Sequence, residues 1–116
     1  MHTIRIKRIY EPASESDGYR VLVDRLWPRG MKKEAAHFHL WEKEAAPSEQ
    51  LRKWFAHDPA KWEGFKKKYL AELENSEAVG RLAADLRSHQ TVTLLYAAHD
   101  EQHNNAVVLQ EYLADR

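Results

Sequence analysis

The sequence predicts an α/β fold, a single domain whose small, mostly parallel sheet of about three or more strands packs with about four to five helices. Three observations carry this. The runs Val21-Leu22-Val23 and Val92 to Tyr96 are short, continuous and rich in apolar residues, the composition of strands buried on both faces. About three helical stretches lie between them, enough chain for a parallel crossover. The 116 residues, 43% of them hydrophobic, have the size of one domain and can bury one core without staples.

Thr3–Tyr10 opens with Ile4 and Ile6 alternating against Arg5 and Lys7, a half-buried strand. Its connection to the next strand is too short for an ordinary crossover, so it is expected as an antiparallel edge. Glu11–Gly18 is a polar loop ending in the turn dipeptide Asp17-Gly18. Tyr19–Asp24 is the first buried strand. Asp24–Gly30 (DRLWPRG) is a loop, because Pro28 lacks a backbone donor and Gly30 permits a tight turn.

Three helices are expected next. Phe38–Glu44 is read as a short one. Ser48 caps a second, with Leu51, Trp54 and Phe55 on one face. Asp58-Pro59 starts the third, along which Trp62, Phe65, Tyr69 and Leu73 form an apolar stripe. Asn75-Ser76 restarts the chain into a further helix marked by Val79, Leu82, Ala83 and Leu86. Thr91–Ala97 is the second buried strand, and Asp100 or Glu101 is expected to open a last helix with Ala106, Leu109 and Leu113 inward.

Composition narrows the function. With no Cys there is no disulfide framework, thiolate metal site or cysteine nucleophile. No apolar run reaches the ~18 residues of a membrane span, and MHTIRIKRIY has no signal-peptide apolar region, so a cytoplasmic location is expected. The 18 basic and 18 acidic residues cancel, but residues 1–33 hold eight basic against four acidic side chains. That local excess is far below the field of a duplex-DNA binder. It suits a small anionic ligand or a short single strand.

The two buried strands, if neighbours, open their carboxyl ends on one edge, where ligands bind in open α/β sheets. The loop Asp24–Gly30 and the turn His99–Asn105 then face one crevice. Arg25 and Arg29 bring planar forks suited to phosphate or carboxylate oxygens. The start of the last helix adds free backbone N–H groups, and Trp27 could stack on a ring. Asp24 and Asn104 would orient the arginines or a ligand hydroxyl. These features point to an anion-recognising crevice for a phosphate or nucleotide-like ligand, any catalysis there being hydrolytic. In the structural alternative, Arg25 pairs with Asp100 or Asp24 to lock two loops, Trp27 packs on the sheet edge and Asp100 caps the helix.

Metal chemistry is not expected. Asp24 and Asp100 are two acids where nuclease-type centres use three or four with a lysine. His99 and His103 have i, i+4 spacing but not the HExxH pattern. Gly18, Gly30, Gly64 and Gly80 are too dispersed for a phosphate loop, no serine lies in a nucleophile elbow, and no cofactor is expected. A second functional reading is a non-catalytic regulatory or protein-interaction module that docks a partner on the Trp-rich helical layer Trp41–Leu73. The helical spacing of Trp41, Trp54, Trp62, Phe55, Phe65 and Tyr69 beside leucines marks them first as core.

Four stretches carry a family resemblance: YRVLVDRLWPRG (Tyr19–Gly30), WEKEAAPSEQLRKWF (Trp41–Phe55), FKKKYLAEL (Phe65–Leu73) and VTLLYAAHDEQHNNAVVLQEYL (Val92–Leu113). On these the chain resembles the YeaO-like branch of the DUF488 family, uncharacterised bacterial proteins. The resemblance covers nearly the whole chain and implies one domain over residues 1–116. Members of the wider family often carry an Asp-x-Arg-x-x-Pro-x-Ser-like loop, matched loosely here by Asp24, Arg25, Pro28 and Arg29. They also often carry an apolar strand, an acidic turn and a Cys-His-Arg helix start. Here LLYAA and Asp100 fit, but Asn104-Asn105-Ala106 stand in place of Cys-His-Arg. Chemistry that needs that thiol and imidazole does not carry over.

Overall fold

Strand and helix signals resolve into an all-parallel sheet in the computed structural model, which describes residues 3–114. Among these residues are strands β1 (Thr3–Arg8), β2 (Tyr19–Leu22), β3 (Leu40–Trp41) and β4 (Thr91–Tyr96). The helices are α1 (Lys33–Ala36), α2 (Glu49–Phe55), α3 (Trp62–Glu74), α4 (Glu77–Leu86) and α5 (Asn105–Ala114). The sheet order is β1-β4-β2-β3, and every pairing is parallel. The two buried runs are neighbours as expected: Leu22 pairs Leu95, and the Val23 N–H donates to the Leu95 carbonyl at 3.1 Å.

The first strand is an edge, but a parallel one, which overturns the antiparallel expectation. β1 and β2 are not adjacent, because β4 arrives later and fills the slot between them. Residues 9–18 therefore need only return the chain along one strand length, about 20 Å, well within ten residues' reach. Gly18 makes the last bend possible. Its φ is +65°, and a Cβ there would lie 2.2 Å from the Thr91 carbonyl oxygen.

The Phe38–Glu44 helix is also overturned. Leu40–Trp41 pairs with β2 as a short outer strand, followed by a 3-10 turn at Lys43–Ala45. The β2 edge decides it: Arg20 and Leu22 carbonyls accept from His39 and Glu42 N–H groups, so the chain satisfies exposed strand acceptors rather than its own helix. The other starts stand where the caps put them. Ser48 Oγ accepts from Leu51 N–H and Ser76 Oγ from Val79 N–H, while Asp58 caps a 3-10 turn with Pro59 first that runs directly into α3. The last helix begins later than expected, at Asn105.

Period-two alternation sorts the sheet's side chains between two faces. Val21, Val23, Val92, Leu94 and Tyr96 face the large core formed with α2 to α5, including Phe55, Phe65, Tyr69, Leu82 and Leu109. Leu22 and Leu95 face a smaller core with Ile9, Ala36, Trp27, Phe38 and Trp41. After β2 the chain turns to the second face, and after β4 it turns to the first. These loops diverge from adjacent parallel strands and leave a crevice between them, the topological switch point of an open sheet. No helix among the described residues is long and apolar enough to cross a membrane.

Candidate functional site

The crevice is a cleft of about 740 Å³ at the carboxyl edge of β2 and β4, of the size that takes a small ligand. Its walls include all six residues expected there, Asp24, Arg25, Trp27, Arg29, Asp100 and Asn104. They do not share one role.

Asp24 is the floor. One carboxylate oxygen accepts from the Ala97 N–H at 3.0 Å, the other from Asn105 Nδ2 at 3.2 Å. Asn105 Nδ2 also reaches the Val23 carbonyl, and Trp41 Nε1 donates to the Asp24 carbonyl. One residue thus ties the ends of β2 and β4 to the first turn of α5. Burial pushes its carboxyl above the ordinary carboxylate range, against the hydrogen bonds and the nearby His57, which act to lower it.

The arginines are oriented differently from the pairing expected in the structural alternative. Arg25 meets neither Asp100 nor Asp24: its Nε donates to the Pro47 carbonyl at 3.1 Å, and an outer nitrogen lies 3.9 Å from the exposed Glu44 carboxylate. It braces the junction before α2, a contact made across the fold that no local pattern announces. Arg29 is exposed, and its backbone carbonyl accepts from the Tyr10 hydroxyl at 2.8 Å. Trp27 packs as the alternative had it. Its indole N–H donates to the Met31 carbonyl at 2.7 Å, and its ring meets Phe38 and Trp41 edge-on.

Asp100 does not cap α5. Its carboxylate accepts from the Gln102 and His103 N–H groups and pairs with His103 Nδ1 at 2.9 Å, closing a tight turn before the helix. The bonds from Gln102, His103 and its backbone hold the Asp100 carboxyl below its ordinary range. The cap is Asn104, buried, whose Oδ1 accepts from Val107 N–H at 3.1 Å while Nδ2 donates to the Asp100 carbonyl. Asn104 is therefore bonded to the protein through both amide atoms, and the amide on the Asp24 carboxylate is that of Asn105. His99 and His103 precede the helix and share no helical face. Among the described residues no group of three or more His, Cys, Asp or Glu could hold a metal ion.

These bonds move the capping role from Asp100 to Asn104, which two substitutions can test. Asn104→Ala removes the cap and should cost about 1–2 kcal/mol. Asp100→Ala opens a half-exposed turn and should cost clearly less. Denaturant melts of the two variants check the order, and a larger loss for Asp100→Ala would return the capping role to it.

Sequence reasoning passed over Arg52. It stands three residues before Phe55, so both share a face of α2, and that spacing was the available signal. In the structure Arg52 lines the cleft beside Phe55 and Phe65, and its Nε is buried with no hydrogen-bond partner among the described residues. Trp54, expected on the inner face, instead turns outward at 40% exposure with Lys61 and Lys68 over its ring. The rest of the aromatic helical layer is mostly core, with Phe55, Phe65 and Tyr69 buried and Trp62 packed against them. His57 reaches the cleft rim because α2 ends in two left-handed residues, Ala56 and His57.

A family model described as "Inactive DUF488-N3 subclade" matches residues 3–116. The chain is 47% identical over 110 residues to "Uncharacterized protein YeaO" of Escherichia coli (strain K12), covering 95% of this chain and 96% of that one. It is 37% identical over 113 residues to "Uncharacterized protein Mb3100c" of Mycobacterium bovis, covering 97% of this chain and 95% of the relative. The same figures hold for "Uncharacterized protein Rv3073c" of Mycobacterium tuberculosis. No solved structure matches.

Proposed function

Given that the chain belongs to the inactive DUF488-N3 subclade, we propose that it is a binding domain that holds a small anionic ligand, a phosphate or nucleotide-like molecule, in the cleft without turning it over. The observation that carries this reading is Arg52. Arg52 lines the cleft with a buried Nε that no acceptor among the described residues satisfies, and its guanidinium fork is the group on that wall suited to meet a ligand oxygen. Arg29, exposed and also in the cleft lining, adds a second fork. Asn104-Asn105-Ala106 speak for binding over turnover: they occupy the helix start with a cap and an amide that orients Asp24, and offer no nucleophile or general base.

The test is a titration with inorganic phosphate followed by thermal shift and calorimetry. Wild type should be stabilised saturably as phosphate loads the folded state. Arg52→Gln should lose about tenfold or more in affinity, the weight of a hydrogen bond to a charged group. Affinity unchanged in Arg52→Gln, or stabilisation that any salt reproduces, would remove the anion reading. Arg52-dependent release of product from a phosphate monoester would remove the non-catalytic part.

A further inference from the structure

The cleft holds opposite charges that do not neutralise each other. Arg25 is spent on Pro47 and Glu44, Arg52 Nε is unpartnered, and Asp24 forms no ion pair with a Lys, Arg or His among the described residues. In a site built for a bare oxyanion, a half-buried carboxylate on the floor is a liability, since it repels the ligand and gains nothing. Yet Asp24 is held firmly. Ala97 N–H fixes one oxygen and Asn105 Nδ2 the other, so the carboxylate plane cannot rotate away. A carboxylate has about four acceptor positions, and these two bonds leave a lone pair on each oxygen. Burial raises its carboxyl above the ordinary range, against the two hydrogen bonds that act to lower it.

We propose that Asp24 accepts a hydrogen bond from a hydroxyl on the same molecule whose anionic group meets Arg52 and Arg29, so that the ligand is a sugar phosphate, free or as part of a nucleotide. This rests on the anion reading above and deepens it. The lining supplies each kind of group such a molecule needs: the forks of Arg52 and Arg29 for the anion, the Asp24 carboxylate for the hydroxyl, and Phe55, Phe65 and Pro47 for a carbon frame. A fixed acceptor also supplies selectivity, because an analogue without the hydroxyl leaves a desolvated carboxylate unpaired.

Ribose 5-phosphate and ethyl phosphate, two monoesters that differ in hydroxyls, are the probes. In calorimetric titrations of wild type, ribose 5-phosphate should bind about tenfold or more tighter than ethyl phosphate. In Asp24→Asn, ethyl phosphate should bind as well as before or better, because a repelling charge is gone, while the sugar advantage collapses. Asn105→Ala, which frees one carboxylate oxygen, should shrink the advantage and serves as the second variant if Asp24→Asn does not fold. Equal affinities in wild type, or an advantage that survives in the variants, overturns the role of Asp24. If ethyl phosphate still binds and Arg52→Gln abolishes it, that failure leaves the anion reading standing. If neither ester nor inorganic phosphate binds wild type, both readings fall.

Discussion

Asp17→Asn should destabilise the protein by about 3–5 kcal/mol, the usual loss when one member of a buried charge network is removed. Asp17 and Arg20 are 4% and 3% exposed, and each is bonded several ways. The Asp17 carboxylate accepts from the Ser14 N–H, from Lys7 Nζ at 3.1 Å and from Arg20 Nη1. Arg20 in turn donates to the Ala36 and His37 carbonyls, and its own N–H donates to His39 Nδ1. Asp17 also fixes the β4 register, because its carbonyl accepts from the buried Thr93 hydroxyl at 2.7 Å. Asparagine keeps the shape and leaves two cations facing a dipole. Burial acts to raise the Asp17 carboxyl, but the bonds from Ser14, Lys7 and Arg20 outweigh it and hold the folded value below the ordinary 3.8. The stabilisation is therefore complete above 3.8 and lost as pH falls through the lowered folded value. Denaturant melts should show the full gap between wild type and variant at neutral pH and a gap that narrows as pH falls below 3.8 through the lowered folded value. A loss under ~1 kcal/mol at neutral pH would mean the network behaves as a surface ion pair.

How much of this the sequence discloses depends on whether the signal is local. Ser48, Asp58 and Ser76 are read correctly because a cap is written in one residue and the few after it. The buried strands and their shared edge are legible because continuous apolar runs leave few alternatives. β1 is misplaced because its neighbour, β4, lies some ninety residues later, and no local pattern announces a slot that is filled last. Leu40–Trp41 is lost for a similar reason: two residues of strand are defined by the β2 edge they satisfy, not by their own propensity. The candidate site divides the same way. Asp24, Arg29 and Asn104 reach the cleft as the loop positions imply, whereas Arg25's partner, the Asn105 clamp on Asp24 and the stranded Arg52 nitrogen arise from contacts across the fold.

Tyr69→Ala should cost about 3–5 kcal/mol and also loosen the cleft wall. Tyr69 is fully buried at the middle of α3, and its hydroxyl donates to the carbonyl of buried Ala45 at 2.6 Å. Burial drives that hydroxyl far above its ordinary range, with the Asp24 and Glu72 charges adding to the effect, so it remains a donor wherever the fold persists. Its ring packs on Phe65 at 5.6 Å between centroids, and Phe65 stacks on Phe55 at 4.2 Å. Phe65 and Phe55 line the cleft, so Tyr69 is the support beneath the apolar wall. Tyr69→Phe separates the two contributions. It keeps the ring, strands the Ala45 carbonyl and should cost about 1–3 kcal/mol, with ligand affinity little changed. Alanine instead opens a cavity behind Phe65, so phosphate-ester affinity should fall together with stability. Melts and titrations of both variants decide it: a phenylalanine variant as unstable as the alanine one would place the weight on the hydroxyl, and an alanine variant with undiminished affinity would detach the core from the cleft.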